Sequence, residues 1–196
     1  MSLILASASL ARRQVLAGAG LVFEVDPARV DEDGAKAAMR AEGLNLHAQA
    51  DALAALKAVS VSGRRGGLVI GADQMLAIEG ENFDKPRDRE EARAQLKRLR
   101  GRTHELIAAV AVAREGAVLW RHIETPRLHM RDFSDAFLEH YLDQGGEGLL
   151  ACVGAYRLEG LGAQLFERVE GDCFSVLGLP LLPLLAFLRQ HGAAPT

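Results

Sequence analysis

The chain has 196 residues, of which 49% are apolar and 25% are charged, and its formal net charge is −3. This length supports one sizeable core, and the composition is typical of an ordinary soluble globular protein. The charge excludes an overall basic field of the kind that binds nucleic acid, so local cations have to meet any anionic small substrate.

The first half of the chain alternates short apolar runs with helical patterns, which predicts an α/β fold. In chain order we predict a strand over residues 2–6, a helix ending near residues 18–20, a strand over 21–25, an acidic loop over 26–34, a helix over 45–62, a strand over 68–72 and a short hairpin around 79–81. Glycine-containing turns separate these segments.

The second half continues with helices whose ends are marked. Asp88 and Glu91 fit a capping box with a carboxylate at its start, and Gly101 stands where that helix would stop. Two long antiparallel strands over 104–131, a helix capped by Ser134, a hairpin over 153–170 and a helix after Pro180 follow. With no repeat or linker, we predict a single domain over residues 1–192, which can have two lobes, and a short tail over 193–196.

Cysteine usage and the apolar segments bear on location and partners. Cys152 and Cys173 are too few for a disulfide framework and lack metal-site spacing, so we expect a reduced, cytoplasmic setting. The apolar run over residues 3–6 precedes its arginines, the reverse of a secretory signal. The most apolar segment, residues 176–192, contains two prolines and is too short for a bilayer, so we expect no membrane partner.

The segment "LASASLARR" has the features of an anion site. Small residues at a strand-to-helix turn present backbone N–H groups, and a helix N-terminus favours anions. Ser7 and Ser9 add hydroxyls, and Arg12 can donate two hydrogen bonds to a phosphate. Serine capping with solvated arginines is the alternative interpretation. The sequence has no GxxxxGK[ST] motif, so this is not an ordinary P-loop.

Acidic residues and two lysines supply further candidates. Asp73 follows a buried strand, where ligands of α/β sheets bind, and can hold Mg²⁺ or take a proton from water. Glu32 lies in the acidic run "VDEDG". Lys57 interrupts an uncharged helical stretch, and Pro86 biases Lys85 toward an extended conformation, so both are candidate phosphate contacts. Turn capping by Asp73, a solvated acidic loop and surface lysines are the corresponding alternatives.

Taken together, these segments resemble the Maf family of nucleoside triphosphate pyrophosphatases. The matching segments occur in family order along nearly the whole chain: "LILASASLARRQVL", "VDE", "LKA", "VIGADQ", "DKPRDREEARAQLKRLRGRTHEL", "GAYRLEGLGAQLFERVEGD" and "VLGLPLLPL". The resemblance implies an α/β fold on a long curved mixed sheet with a cleft between two lobes. It also implies Mg²⁺- or Mn²⁺-dependent hydrolysis of the α–β phosphate bond and a homodimer.

The resemblance also implies roles for individual residues. Asp73 matches the proton acceptor, and Glu32 matches an acidic residue associated with metal and catalysis. The phosphate-contacting set is matched by Ser7, Arg12, Lys57 and Lys85.

Specificity positions resemble those of the subgroup that hydrolyses 7-methyl-GTP. Gln74 replaces the threonine of the dTTP/UTP type, and Glu159 replaces a glutamine. A carboxylate at 159 can accept from the guanine edge and complement the positive charge of N7-methylation. Ala11 departs from both subgroups, because it offers neither an arginine nor a stacking aromatic. A dTTP/UTP pyrophosphatase and a non-catalytic regulator of septum formation are the alternatives.

Overall fold

The first half of the chain contains both strands and helices, in the order strand-helix-strand-helix-helix-strand-strand-helix. The computed structural model describes residues 2–195, and in this range there are eight strands and seven α-helices. The strands are β1 Leu3–Leu5, β2 Glu24–Val25, β3 Leu68–Ile78, β4 Glu81–Phe83, β5 Thr103–Arg114, β6 Ala117–Glu124, β7 Arg127–Met130 and β8 Phe166–Glu170. The helices are α1 Leu10–Gly18, α2 Glu32–Ala41, α3 Leu46–Ser62, α4 Arg89–Leu99, α5 Asp135–Gly145, α6 Cys173–Val176 and α7 Leu181–Gln190.

The strands form one mixed sheet, which confirms the predicted α/β class. Its main path runs β2-β1-β3-β5-β7-β8, while β4 pairs with β3 and β6 pairs with β5. The strands β2, β1 and β3 are parallel, with Ile4 opposite both Glu24 and Val69. The pairs β3–β4, β5–β6, β5–β7 and β7–β8 are antiparallel.

The chain divides into two compact units. The first contains the residues up to Gln74, Ala108–Glu124 and the residues from Leu177 onward. The second contains Met75–Ile107 and Thr125–Val176. Because β3 and β5 are long strands, each contributes residues to both units. None of the helices in residues 2–195 is long and apolar enough to cross a membrane.

The backbones of α3 and β3 approach each other closely in the first unit. The residues of β3 from Leu68 to Asp73 are all buried, which is typical of a parallel strand covered on both faces. A Cβ placed on Gly71 would come within 2.9 Å of the Ala58 Cβ, and closer still to backbone atoms of Ala54 and Ala58. Glycine is therefore required at this position so that α3 can pack directly on the strand.

The second unit has its own apolar core, and His104 is buried beside it. The core combines residues of β3, α4, β5, β7 and α5, with Phe133 and Tyr141 among its largest side chains. His104 is 1% exposed, and its Nε2 lies 2.7 Å from the Tyr156 hydroxyl. Its Nδ1 has no hydrogen-bond partner within residues 2–195. Burial, followed by the charge of His129, lowers the pKa of His104 to about 4.

Lowering the pH from 7 to 5 is expected to destabilise the protein through His104. Its pKa is about 4 when folded, against an ordinary value of 6.5, so only the unfolded chain takes up this proton between those values. The destabilisation that His104 causes is negligible well above pH 6.5 and grows as the pH falls. At pH 5 it lowers the free energy of unfolding by about 2 kcal/mol. Denaturant unfolding at both pH values measures it. His104→Gln, which cannot titrate, should show a smaller loss, and an equal loss would contradict the assignment.

Four predicted segments differ from the structure. The strand predicted over 21–25 is reduced to β2, and the acidic loop ends early because Asp31 caps α2, accepting from the Gly34 N–H at 3.0 Å. The second long strand is divided into β6 and β7 around Pro126, which has no N–H for a sheet. The hairpin predicted over 153–170 is wrong. The segment contains two 3₁₀ turns, Val153–Ala155 and Leu161–Leu165, and only β8 is a strand.

Candidate active site

A buried lysine brings the two predicted catalytic carboxylates together. The Lys57 ammonium donates to Asp73 Oδ1 at 2.7 Å and to Glu32 Oε2 at 2.8 Å. Lys57 is 7% exposed and Asp73 is 6% exposed, whereas the Glu32 side chain is about half-exposed. A buried ammonium and a buried carboxylate each require an ionic partner, and this arrangement supplies both.

Three different elements place these side chains in the first unit. Lys57 projects from the middle of α3, Asp73 from β3 and Glu32 from the first turn of α2. The Asp31 cap fixes where α2 begins, and the contact at Gly71 fixes the separation of α3 from β3 two residues before Asp73. The position of the ion cluster therefore follows from backbone packing as well as from the charges.

The second oxygen of Asp73 can accept a further ligand. Asp73 Oδ2 is buried and has no hydrogen-bond partner within residues 2–195. Mg²⁺ prefers oxygen ligands and is commonly held by one or two protein carboxylates together with substrate phosphates. Asp73 and Glu32 fit that pattern. No group of three or more His, Cys, Asp or Glu residues suited to a metal occurs in the described part of the chain, so phosphate oxygens would have to complete the coordination.

Arg12 is fixed beside this cluster by acceptors from three segments. Its Nε donates to the Gly178 carbonyl at 2.8 Å, and its Nη1 donates to the Ala72 carbonyl at 2.9 Å and to Ser7 Oγ at 3.2 Å. Burial lowers the pKa of Arg12, and the negative charges of Asp73 and Glu32 oppose that shift. These bonds use Nε and Nη1, which leaves the two N–H groups of Nη2 to donate to an anion.

The N-terminus of α1 is capped by serine, as the alternative interpretation held, but Arg12 is hydrogen-bonded to the protein rather than solvated. Ser9 caps the helix by accepting from the Arg12 N–H at 3.4 Å, and Ser7 Oγ accepts from the Ser9 N–H at 3.2 Å. The first turn of α1 itself contains no acidic side chain that would repel a phosphate. Ala11 is partly buried in this first turn and offers only a methyl group.

Gln74, Lys85 and Glu159 are the other residues that the sequence predicted for the site. Gln74 follows Asp73 and is partly buried. Lys85 and Glu159 belong to the second unit, and both are exposed. Lys85 lies between β4 and α4, beside the buried Pro86, and Glu159 Oε1 lies 3.7 Å from Arg157 Nε. The roles predicted for these residues stay predictions.

Comparison with known proteins shows the family of the chain that contains this cluster. Residues 2–191 match the family described as "Maf-like protein". The chain belongs to this family. The match covers the first unit and the second, so both are parts of the Maf-like chain.

Full-length relatives of the Maf-like chain carry one name. The chain is 58% identical over 194 residues to a protein of Granulibacter bethesdensis, covering 98% of each chain. It is 55% identical to a protein of Paramagnetospirillum magneticum, covering 96% of this chain and 98% of the relative. A protein of Caulobacter vibrioides is 53% identical, with 96% and 95% covered. Each of these relatives is named "Nucleoside triphosphate pyrophosphatase".

Two glycines that support the site were not predicted from the sequence. Gly71 permits the contact of α3 with β3, and the carbonyl of Gly178 accepts from Arg12. The available signals were a glycine inside an apolar strand and a glycine just before Leu-Pro, in "VLGLP". Neither signal predicts which residue the glycine contacts. Every residue type has a backbone carbonyl, so the sequence does not show which carbonyl accepts from Arg12.

Proposed function

We propose that this Maf-like protein is a nucleoside triphosphate pyrophosphatase, which hydrolyses the α–β phosphate bond and releases a nucleoside monophosphate and pyrophosphate. The observation that carries the proposal is the hydrogen-bonded cluster of Asp73, Glu32 and Lys57. Arg12 lies close enough to both carboxylates for their charges to affect its pKa. The names of the full-length relatives support the same reaction.

Asp73 is the general base that takes a proton from the attacking water. Its Oδ1 accepts from Lys57, which orients the carboxylate. Oδ2 has two lone pairs, so it can accept the proton of the water and still contact a bound metal. Water attacks the α-phosphorus, its proton passes to Asp73, and the bond to the bridging oxygen breaks so that pyrophosphate leaves. Phosphoryl transfer of this kind depends on positioning and on offsetting charge rather than on covalent chemistry by the protein.

Cations and helix N–H groups hold the triphosphate. Arg12 Nη2 and the N-terminus of α1 are the phosphate contacts in the first unit, with Ser7 as a hydroxyl donor. Lys85 is a further phosphate contact that the resemblance implied, and we keep it in the proposal on that ground alone. Asp73 and Glu32 would hold Mg²⁺ or Mn²⁺, which offsets negative charge on the phosphates when it is bound. Lys57 orients both carboxylates, a role that adds to the phosphate contact predicted from the sequence.

The substrate proposed at the finer level is 7-methyl-GTP, with Gln74 and Glu159 as the residues that select the base. A carboxylate at 159 favours a guanine edge carrying a positive charge over the uncharged face of a pyrimidine. In the structure Glu159 lies near Arg157, which keeps loop fixing open as an alternative role. The homodimer and the cytoplasmic setting remain predictions.

A panel of triphosphates tests both levels of the proposal. With Mg²⁺ or Mn²⁺, we expect pyrophosphate release, fastest from 7-methyl-GTP, and slower from UTP and dTTP. Pyrophosphate is measured directly, so phosphate released by a contaminating phosphatase does not count. Failure to hydrolyse any triphosphate would favour the septum regulator, and a preference for UTP or dTTP would favour the pyrimidine enzyme.

Glu159→Gln separates base selection from loop fixing. The variant should lower the ratio of 7-methyl-GTP to UTP hydrolysis, because it removes the negative charge while keeping the shape of the side chain. Arg157→Gln is the matched control, since it breaks the same loop contact without changing the carboxylate. If both variants lower the two rates equally, Glu159 fixes the loop and does not select the base.

A further inference from the structure

The orientation of Arg12 is set by backbone carbonyls rather than by carboxylates. The Gly178 carbonyl receives Nε at 2.8 Å, and the Ala72 carbonyl receives Nη1 at 2.9 Å. Backbone acceptors cannot rotate away as side chains do, and a guanidinium is planar, so two such bonds to different edges define its plane. They also compensate the group for lost water without neutralising its charge.

Gly178 meets two demands that no other residue type meets together. It is buried and has a φ of +89°, a region that L side chains rarely adopt. A Cβ at this position would lie 3.3 Å from Arg12 Nε and 3.5 Å from Arg12 Nη2 and from Gln74 Oε1. Any side chain would therefore shift the backbone, crowd the guanidinium, or do both.

We propose that Gly178 is a positioning residue, which acts through its carbonyl to aim Arg12 Nη2 at a phosphate group of the substrate. This inference rests on the proposed function for the identity of the anion. Gly178 has no side chain with which to contact a substrate, and its carbonyl is bonded to Arg12. Its effect has to pass through Arg12, so it should disappear when Arg12 is absent.

Gly178→Ala is expected to lower kcat/KM for the triphosphate by about 10- to 100-fold, since a small misplacement of a positioning group has effects of that size. In an Arg12→Ala background the same substitution should change kcat/KM little. Gly20→Ala is the control for backbone strain. Gly20 also has a positive φ, +74°, but a Cβ there would have no atom within 4 Å. The control should lower the thermal midpoint without lowering kcat/KM.

Binding of inorganic pyrophosphate, measured by calorimetry, separates this inference from the proposed function. Weaker binding by Gly178→Ala but not by Gly20→Ala supports the positioning role even if no triphosphate is hydrolysed. Equal binding by Gly178→Ala and the unmodified protein overturns it, as does an equal loss of kcat/KM with and without Arg12. Should Gly178→Ala not fold, an ester in place of the Gly178–Leu179 amide weakens the carbonyl as an acceptor without adding an atom, and the same outcomes apply.

Discussion

Asp73→Asn is expected to lower kcat/KM by about 10²–10⁴-fold, the range for loss of one general base. Asparagine keeps the shape of the side chain and an oxygen that can accept from Lys57, so the fold and the ion cluster should persist. It cannot take a proton from water at neutral pH. The measurement is pyrophosphate release from the best substrate of the panel, together with binding of a non-hydrolysable triphosphate analogue, which should change far less than the rate.

Asp33→Asn is the matched control for this experiment. Asp33 is an exposed carboxylate next to Glu32, in the first turn of α2, so the substitution makes the same change of charge near the site. Its rate should equal that of the unmodified protein. A rate for Asp73→Asn close to that of Asp33→Asn would remove Asp73 from the role of proton acceptor.

Lys57→Met is expected to cost about 3–5 kcal/mol of stability at neutral pH, the usual penalty for removing one partner of a buried ion pair. Methionine fills similar space but leaves the buried Asp73 carboxylate without its hydrogen-bonded cation. Activity should fall as well, because neither carboxylate is then oriented. Denaturant unfolding and pyrophosphate release measure the two effects, and added Mg²⁺ should restore part of the stability by supplying positive charge at the same carboxylates.

Two further variants make the Lys57 result specific. Adding Asp73→Asn to Lys57→Met should recover much of the lost stability, because it removes the unpaired charge. Lys97→Met is the surface control. Lys97 is about half-exposed and lies 3.5 Å from Asp135, so its loss should have little effect. If the double variant is no more stable than Lys57→Met, the lost stability does not come from the buried charge.

The sequence predicted most of the fold because local signals and tertiary packing agree in most elements. Ser9, Asp88 and Ser134 cap helices where capping residues precede apolar periodicity, and the turn at residues 79–80 joins β3 to β4. The prediction over 153–170 is wrong because glycines there permit 3₁₀ turns as readily as a hairpin, and β8 pairs with the distant β7. Periodicity within a segment does not show which distant strand it pairs with, so the pairing of β8 with β7 could not be predicted.

The candidate site was predictable in its membership but not in its connections. The resemblance to the Maf family named Ser7, Arg12, Glu32, Lys57 and Asp73, and the structure shows that all five belong to the first unit. The sequence assigned Lys57 to phosphate, and only the structure shows its ammonium bonded to two carboxylates. Likewise, an arginine near a helix start indicates an anion contact, but its carbonyl acceptors come from segments 60 and 166 residues away.

The close approach of α3 to β3 at Gly71 means that activity depends on a residue that has no functional group. Lys57 and Asp73 lie on two elements whose spacing depends on the absence of one carbon atom at Gly71. A methyl group there would push α3 away from β3 and separate the ammonium from its carboxylate. The active site could therefore be lost while every residue in it is retained. In this chain a residue without a polar side chain can therefore be as necessary for activity as the charged residues of the site.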